Sequence, residues 1–326
     1  MGEIQGDGRG RAPGDEAALV DPGLLVVQGL NGLQLGVMLF LMAAGRTLVF
    51  GIMNLVNLAH GSLYMVGAYF AAIFAARTGS FVLALLLALP ATALVGIAVE
   101  VVVLRTLYRR DHLDQVLATF GLILFFNEGV RLIGGKAARY MALPHGLEGN
   151  VALLPGLRYP AYRLVVMAVG LAVAVFLYLL VTRTRMGMLI RAGASNRVML
   201  GALGINVTLL YTLVFAMGSA LAALAGVMSG PIFTVESGMG ESVLILAFVV
   251  IVIGGIGSIR GAFVAALLVG VVDATGRAFL RPFLTIFMGG SAAAKFGPAL
   301  ASMLIYILMA AVLFVRPQGL FPPRGL

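Results

Sequence analysis

Met186 to Ile205 reads MGMLIRAGASNRVMLGALGI, and it lies between two long apolar runs, Tyr162 to Val181 and Leu209 to Gly230. Each run is long enough to cross a hydrocarbon core of roughly 30 Å, so the stretch between them is a loop joining two membrane spans. Arginines stand at 183, 185, 191 and 197 with no acid among them, which by the positive-inside rule puts the loop in the cytoplasm. The loop also has order of its own. Ser195 or Asn196 can cap a helix of about two turns, and Gly204 is placed to end it. The small run Ala192-Gly193-Ala194 leaves room for another backbone. A short helix that is small and apolar on one side and basic on the other fits two uses equally well: a docking surface for a partner, or an interfacial helix on anionic lipid.

Composition agrees with a membrane setting. Of 326 residues, 61% are hydrophobic and 11% charged, against roughly 25% charged in a soluble domain; the mean hydropathy is +1.07. The expected fold is all-α and polytopic. Cysteine is absent, which excludes a disulfide framework, a thiol nucleophile and a cysteine-ligated metal. The net charge of +9 is carried by arginines at span ends and in loops, so topology accounts for it and nucleic acid is discarded as a partner. With no Trp, any aromatic belt falls to the nine Tyr and to Phe.

Outward from the loop, the chain divides into a polar tail at 1–23, expected to be disordered, a membrane domain at 24–317 that includes the loop at 183–207, and a C-terminal tail at 318–326. The tail at 1–23 lacks the short basic stretch and apolar core of a cleavable signal peptide. Leu24 to Ala44 is the first span, with Arg46 just beyond it. Leu48 to Ala76 is too long for one span and is interrupted by Asn54, Asn57 and His60-Gly61, which predicts a broken or re-entrant segment followed by a helix. Phe81 to Val103 is a span, Leu104 to Ala118 a cytoplasmic loop, and Thr119 to Gly135 a shorter apolar segment that carries Asn127, Glu128 and Arg131 and so faces protein. The connection from Lys136 to Pro160 is external. After the central loop, Leu209 to Gly230 runs outward to a loop holding Glu236 and Glu241 with no Lys or Arg. Val243 to Gly257, Ala262 to Leu280 and Ala299 to Val315 complete eight spans, or nine if the segments around His60 and Asp273 both cross.

Two constellations carry the polar chemistry. Asn54, Asn57 and His60 recur at i, i+3 and i+6, roughly one face of a helix turn. At membrane depth they must face a bundle interior, a watery path or unwound backbone. They either shape the route of a polar solute or make interhelical hydrogen bonds worth on the order of 1 kcal/mol each. The second constellation is Gly254-Gly255-Ile256-Gly257-Ser258-Ile259-Arg260-Gly261, whose glycines predict a bend or a close helix crossing. No phosphate-binding loop is present: the one Gly-Lys pair, Gly135-Lys136, lacks the upstream spacing and a following Ser or Thr. ATP hydrolysis is therefore expected on another chain. Three histidines at 60, 112 and 145 lack ligand spacing, so no metal is expected. Glu128 and Asp273 are the candidate ion-coupling carboxylates, but each has an Arg three or four residues on, which favours structural ion pairs over a carrier.

These residues resemble the permease subunits of branched-chain amino acid ABC importers, of the LivH type. The resemblance runs from Gly29 onward. Its most specific pieces are Phe50-Gly-Ile-Met-Asn54 leading into Asn57-Leu-Ala-His60-Gly61, then Gly254-Gly-Ile-Gly257-Ser258, and the ending Arg316-Pro-Gln-Gly319-Leu-Phe321. Arg191 to Ile205, followed by Ala222-Ala-Leu-Ala-Gly226, is similar to the family's ATPase-engaging loop, which decides for docking over a lipid-surface helix. The resemblance implies a bacterial inner-membrane protein that forms half of a pore with a homologous permease. Two cytoplasmic ATPases and an external solute-binding protein complete the assembly. The implied path residues are Asn54, Asn57, His60, Gly61, Asn127, Gly254, Gly255, Gly257 and Ser258. The implied coupling residues are Arg191, Ala192, Gly193, Ala194, Ser195, Asn196, Met199, Leu200, Gly201 and Ile205. The family also includes permeases for urea and short amides. An ion-coupled carrier and a passive channel remain the rival classes.

Overall fold

The computed structural model describes residues 22–53, 55–108, 110–135, 137–154 and 157–321. Most of the expected tail at 1–23, the last residues of the C-terminal tail, and Asn54 lie outside that set.

The first helix, α1 (Pro22–Met53), runs 32 residues without a break, about 48 Å at the usual rise. The expectation that the span ends at Ala44, with Arg46 as its polar flank, is corrected. No Pro interrupts the segment, and the bundle buries Arg46 and Thr47 at 6% and 1% exposure, so the charge does not mark the edge of the lipid. Phe40 to Ala44 have no solvent access at all. A helix buried on every side is the core of its domain, and the other elements are arranged around α1.

The chain leaves α1 at Met53, passes through a non-helical stretch and restarts as α2 (His60–Thr78), as the reading of a broken segment requires. Next come α3 (Phe81–Val99) and, after a four-residue turn, α4 (His112–Gly134). α3 continues through a π-helical turn at Glu100–Leu104 and a last turn at Arg105–Leu107. Thr119 is therefore well inside a helix, and the loop expected over Leu104 to Ala118 shrinks to 108–111. The connection after α4 folds into an antiparallel hairpin, β1 (Asn150–Leu154) and β2 (Leu157–Pro160), leading into α5 (Ala161–Arg183). Two short helices follow, α6 (Arg185–Ser195) and α7 (Arg197–Ala202). The last four are α8 (Val207–Ser229), the 16-residue α9 (Met239–Gly254), α10 (Ile259–Met288) and α11 (Gly290–Val315). α10 and α11 together take in 281–298, which the apolar runs alone leave unassigned.

Seven of these helices are long and apolar enough to cross a membrane, and α9 is a shorter apolar one. The chain is thus an all-α multi-pass membrane protein; of the two doubtful segments, the one around Asp273 is a crossing by length and composition, while α2 around His60 is not among the seven. Burial separates centre from rim. The most apolar window of α1 is 83% buried and that of α11 only 11%, so α11, like α3 to α5, presents its apolar surface outward. Small residues let the central helices touch. A Cβ at Gly36 would sit 2.7 Å from the Ala266 carbonyl oxygen of α10, so α1 and α10 cross backbone to backbone at a point where no larger residue fits.

Successive crossings sort the turns into two ends. One end gathers the α3–α4 turn, α6 with α7, the α9–α10 turn and the chain after α11; Arg105, Tyr108, Arg197 and Tyr211 line one cavity of about 470 Å³ there. The opposite end gathers Gly79-Ser80, the hairpin connection and the α8–α9 loop, where Arg139 and Val235 form a short antiparallel bridge.

Candidate solute path and docking surface

The break between α1 and α2 concentrates polar groups. Asn57 does not share a helix face with His60, because 55–57 is non-helical and 58–59 is a turn; the spacing that suggested one helical face instead spans a break in the helix. The Asn57 Oδ1 accepts a hydrogen bond from the Ala59 N–H at 2.9 Å, a local turn that starts α2. His60 is the first residue of α2, 1% exposed, beside Gly45 of α1. Among the described residues, five buried side-chain atoms lack a hydrogen-bond partner. Four belong to this region, namely Arg46 Nη1, Thr47 Oγ1, Asn57 Nδ2 and His60 Nε2, and the fifth is Asp273 Oδ1. Buried polar groups are ordinarily satisfied, so a cluster of orphans marks a place kept polar for a reason other than packing.

Three features hold the break open. Gly61 at the start of α2 meets Gly240 at the start of α9 so closely that a Cβ on Gly61 would lie 2.5 Å from the Gly240 carbonyl oxygen. Gln115 of α4 accepts from the Val56 N–H at 3.2 Å and donates through Nε2 to the Leu107 and Arg110 carbonyls, both at 3.2 Å. Tyr64 and Ser229 share a 2.6 Å hydrogen bond between α2 and α8. Sequence reading missed Gln115, because a lone Gln in an expected loop has no pattern around it. It also missed Arg46, which it read as a boundary charge.

Two other groups expected on the path have structural partners. Asn127 of α4 donates to Glu241 of α9, the residue next to the Gly240 that meets Gly61, while Ser237 donates to the Asn127 carbonyl at 3.1 Å; it ties α4 to the start of α9. Gly254, Gly255, Gly257 and Ser258 form the α9–α10 turn. Ser258 caps α10 by accepting from the Gly261 N–H at 3.1 Å, and Gly255 and Gly257 adopt φ of 99° and 85°, values open mainly to glycine. The Leu320 and Phe321 N–H groups donate to the Ile253 and Gly254 carbonyls at 2.8 and 3.1 Å. The chain after α11 thereby satisfies the exposed carbonyls that end α9, and two of the most specific sequence motifs prove to be one structural joint.

The segment expected to dock a partner is two helices where one was expected. Thr184 starts α6 by accepting from the Gly187 N–H at 3.1 Å. Asn196 caps α7 by accepting from the Met199 N–H at 2.9 Å, as one of the two capping readings has it, and Gly204 turns the chain at φ 80°. Ile190, Gly193 and Leu200 face inward. A Cβ on Gly193 would be in ordinary contact with Ile52, Leu200 and Leu210 at 3.4 to 3.6 Å, so side chains approach the small run, and no backbone does. Ala194 and Ile205 are half-buried, while Arg191, Ala192, Ser195, Asn196, Met199 and Gly201 are exposed. The outward face is apolar with a basic margin: Met188, Val198, Met199 and Leu203 are 55%, 77%, 59% and 72% exposed, close to Arg185, Arg191 and Arg197.

Behind this face, the π-turn of α3 buries Glu100 completely. Its carboxylate accepts from Arg105 at 3.0 Å, Tyr108 at 2.8 Å and Thr212 of α8 at 2.8 Å. Burial, reinforced by the hydrogen bond to Glu100, pushes the Tyr108 phenol well above its ordinary value. The two candidate coupling carboxylates are paired: Arg131 with Glu128 at 2.6 Å and Arg277 with Asp273 at 2.8 Å.

Comparison with known proteins follows this layout. Residues 29–313 match the family model described as branched-chain amino acid transport system / permease component. The high-affinity branched-chain amino acid transport system permease protein BraD of Pseudomonas aeruginosa is 33% identical over 307 residues, covering 90% of this chain and 94% of that protein. LivH of Escherichia coli K12 is 31% identical over 267 residues, 78% of this chain and 86% of its own. A probable LivH of Methanocaldococcus jannaschii is 24% identical over 299 residues, 87% of this chain and 88% of its own. No solved structure matches the chain at a significant level. A match that begins within α1 and ends within α11 takes in the break, the docking pair and the glycine turn together, and on it the chain belongs to the family of branched-chain amino acid transport system permease components.

Proposed function

We propose that this chain is the membrane-spanning subunit of an ABC importer for branched-chain amino acids, working in a bacterial inner membrane. It supplies half of the solute path beside a homologous permease, docks one of two cytoplasmic ATPases through α6 and α7, and receives solute from an external binding protein. The observation that carries this reading is the 33% identity to BraD over 90% of the chain. The end carrying α6 and α7 is then the cytoplasmic one, in line with the acid-free arginines at 183 to 197. ATP hydrolysis on the partner moves the docking pair. Through Ile190, Gly193 and Leu200, packed on Ile52 and Leu210, that motion reaches the end of α1 and the break beyond it. The break, with Asn57, His60 and Gly61, and the α9–α10 turn with Gly254, Gly255, Gly257 and Ser258, are the parts that reshape as the path alternates. Asn127 braces the start of α9. Asn54, between α1 and the non-helical stretch, belongs to the same path.

The test is reconstitution. Proteoliposomes carrying this chain with its second permease and ATPases should accumulate leucine only with binding protein outside and ATP inside. Concentrative uptake by this chain alone, or uptake stopped by a proton ionophore while ATP persists, would overturn the reading.

A further inference from the structure

Arg46 is a guanidinium that the break does not explain. It lies seven residues before the end of α1, is 6% exposed, and its Nη1 has no hydrogen-bond partner. Among the described residues no carboxylate pairs with it. Its one recorded partner is the Phe248 ring of α9, 5.1 Å from the guanidinium carbon to the ring centroid. A cation over an aromatic face recovers only part of what taking the charge out of water costs. The charge is thus under-compensated as the molecule stands. Thr47, the next residue of α1, and His60, beside Gly45 of α1, also hold an unpartnered buried polar atom each, and neither side chain carries a negative charge.

The placement supplies the second half of the argument. Glu241, Ile245 and Phe248 fall at i, i+4 and i+7 of α9, one face, and all three are exposed, Ile245 at 53% and Phe248 at 48%. Arg46 therefore lies behind the Phe248 ring, beside the open apolar part of an α9 face that carries Glu241 in its first turn. A turn of the Phe248 side chain uncovers it.

We infer that Arg46, screened by Phe248, is the binding group for the carboxylate of the transported zwitterion. The inference rests on the amino-acid reading above and deepens it. The solute carboxylate replaces the ring as partner of the guanidinium, and the apolar side chains around Ile245 take the aliphatic side chain. A neutral amide gains nothing from such a site.

The experiment uses the full transporter in proteoliposomes with its binding protein, and compares wild type with Arg46→Met and Arg46→Lys. Leucine uptake by Arg46→Met should fall at least tenfold, while complex yield and nucleotide hydrolysis without solute hold and the thermal midpoint stays level or rises, since an uncompensated charge has been removed. Arg46→Lys should keep clearly more uptake than Arg46→Met. The inference is overturned if Arg46→Met carries leucine within twofold of wild type, or if it fails to assemble, which would make the charge structural. Should the wild-type complex move urea and no carboxylate-bearing solute, the amino-acid reading itself fails, a result separable from either of the other two.

Discussion

The α6–α7 pair and the α1–α2 break face opposite problems. The pair is a small amphipathic unit whose backbone ends are capped by Thr184 and Asn196 and whose outer apolar side chains have nothing upon them. The break is the reverse, with apolar surroundings fully packed and polar atoms left over. In the first region the unmet demand is for apolar surface, which the proposed ATPase partner would meet. In the second it is for hydrogen bonds and charge, which the proposed solute would meet. The proposed permease needs both, and the approach of Gly193 to Ile52 joins them.

The largest expected effect separates the two demands. Val198→Asp puts a charge on the outer face of α7, where the side chain is 77% exposed and the folded chain loses nothing. Membrane insertion and thermal midpoint should stay as they are, while ATP-driven uptake drops more than tenfold and the ATPase subunit no longer co-purifies. Retained uptake would mean that the face docks nothing.

Gly61→Val attacks the break from the side of packing. With the Gly240 carbonyl oxygen 2.5 Å from a Cβ at this position, α2 and α9 must separate, a strain of the overpacking kind worth about 1–3 kcal/mol. The expected outcome is a lower thermal midpoint together with reduced uptake. An unchanged midpoint would show that the Gly61–Gly240 crossing does not fix the break.

Much of this was readable in advance. The turn at Gly254 to Ser258, the cap at Asn196 and the break before His60 all follow from residues whose backbone preferences are local, and a single sequence carries such preferences. Where burial decides, the reading failed. Arg46 looked like a span boundary because charge at membrane depth is costly, and Glu100 drew no notice inside the span Phe81 to Val103, yet the bundle encloses both. The rule that ends a span at a charge assumes lipid on the other side. Nor could the closure of the α9 terminus by Leu320 and Phe321 be foreseen, since it pairs segments more than sixty residues apart through backbone groups that every residue has. The hairpin at Asn150 to Pro160 was hidden for a related reason: the alternation of Leu157-Arg158-Tyr159-Pro160 is too short to announce a strand.

Gln115→Ala is a finer probe of the same region. It removes the acceptor for the Val56 N–H and two further backbone contacts, leaving buried groups unpaired at a cost of about 1–3 kcal/mol. Hydrogen exchange should then quicken at 55–59 before it does in α1. Equal protection in variant and wild type would assign the non-helical stretch to packing by Leu55 alone.

The smallest effect is also the one that rules on mechanism. Glu128 and Arg131 pair at 2.6 Å, but their side chains are 64% and 40% exposed, and such a pair is worth about 0–1 kcal/mol. If the pair is structural, Glu128→Gln should leave both stability and ATP-driven uptake within error of wild type. A carrier that moved protons through this carboxylate would lose uptake with the same change. Because the substitution is almost isosteric, loss of transport without loss of stability has no packing explanation. It would move the energetic coupling from the docking face to the opposite end of the bundle, and the division of labour between α6–α7 and the break would have to be abandoned.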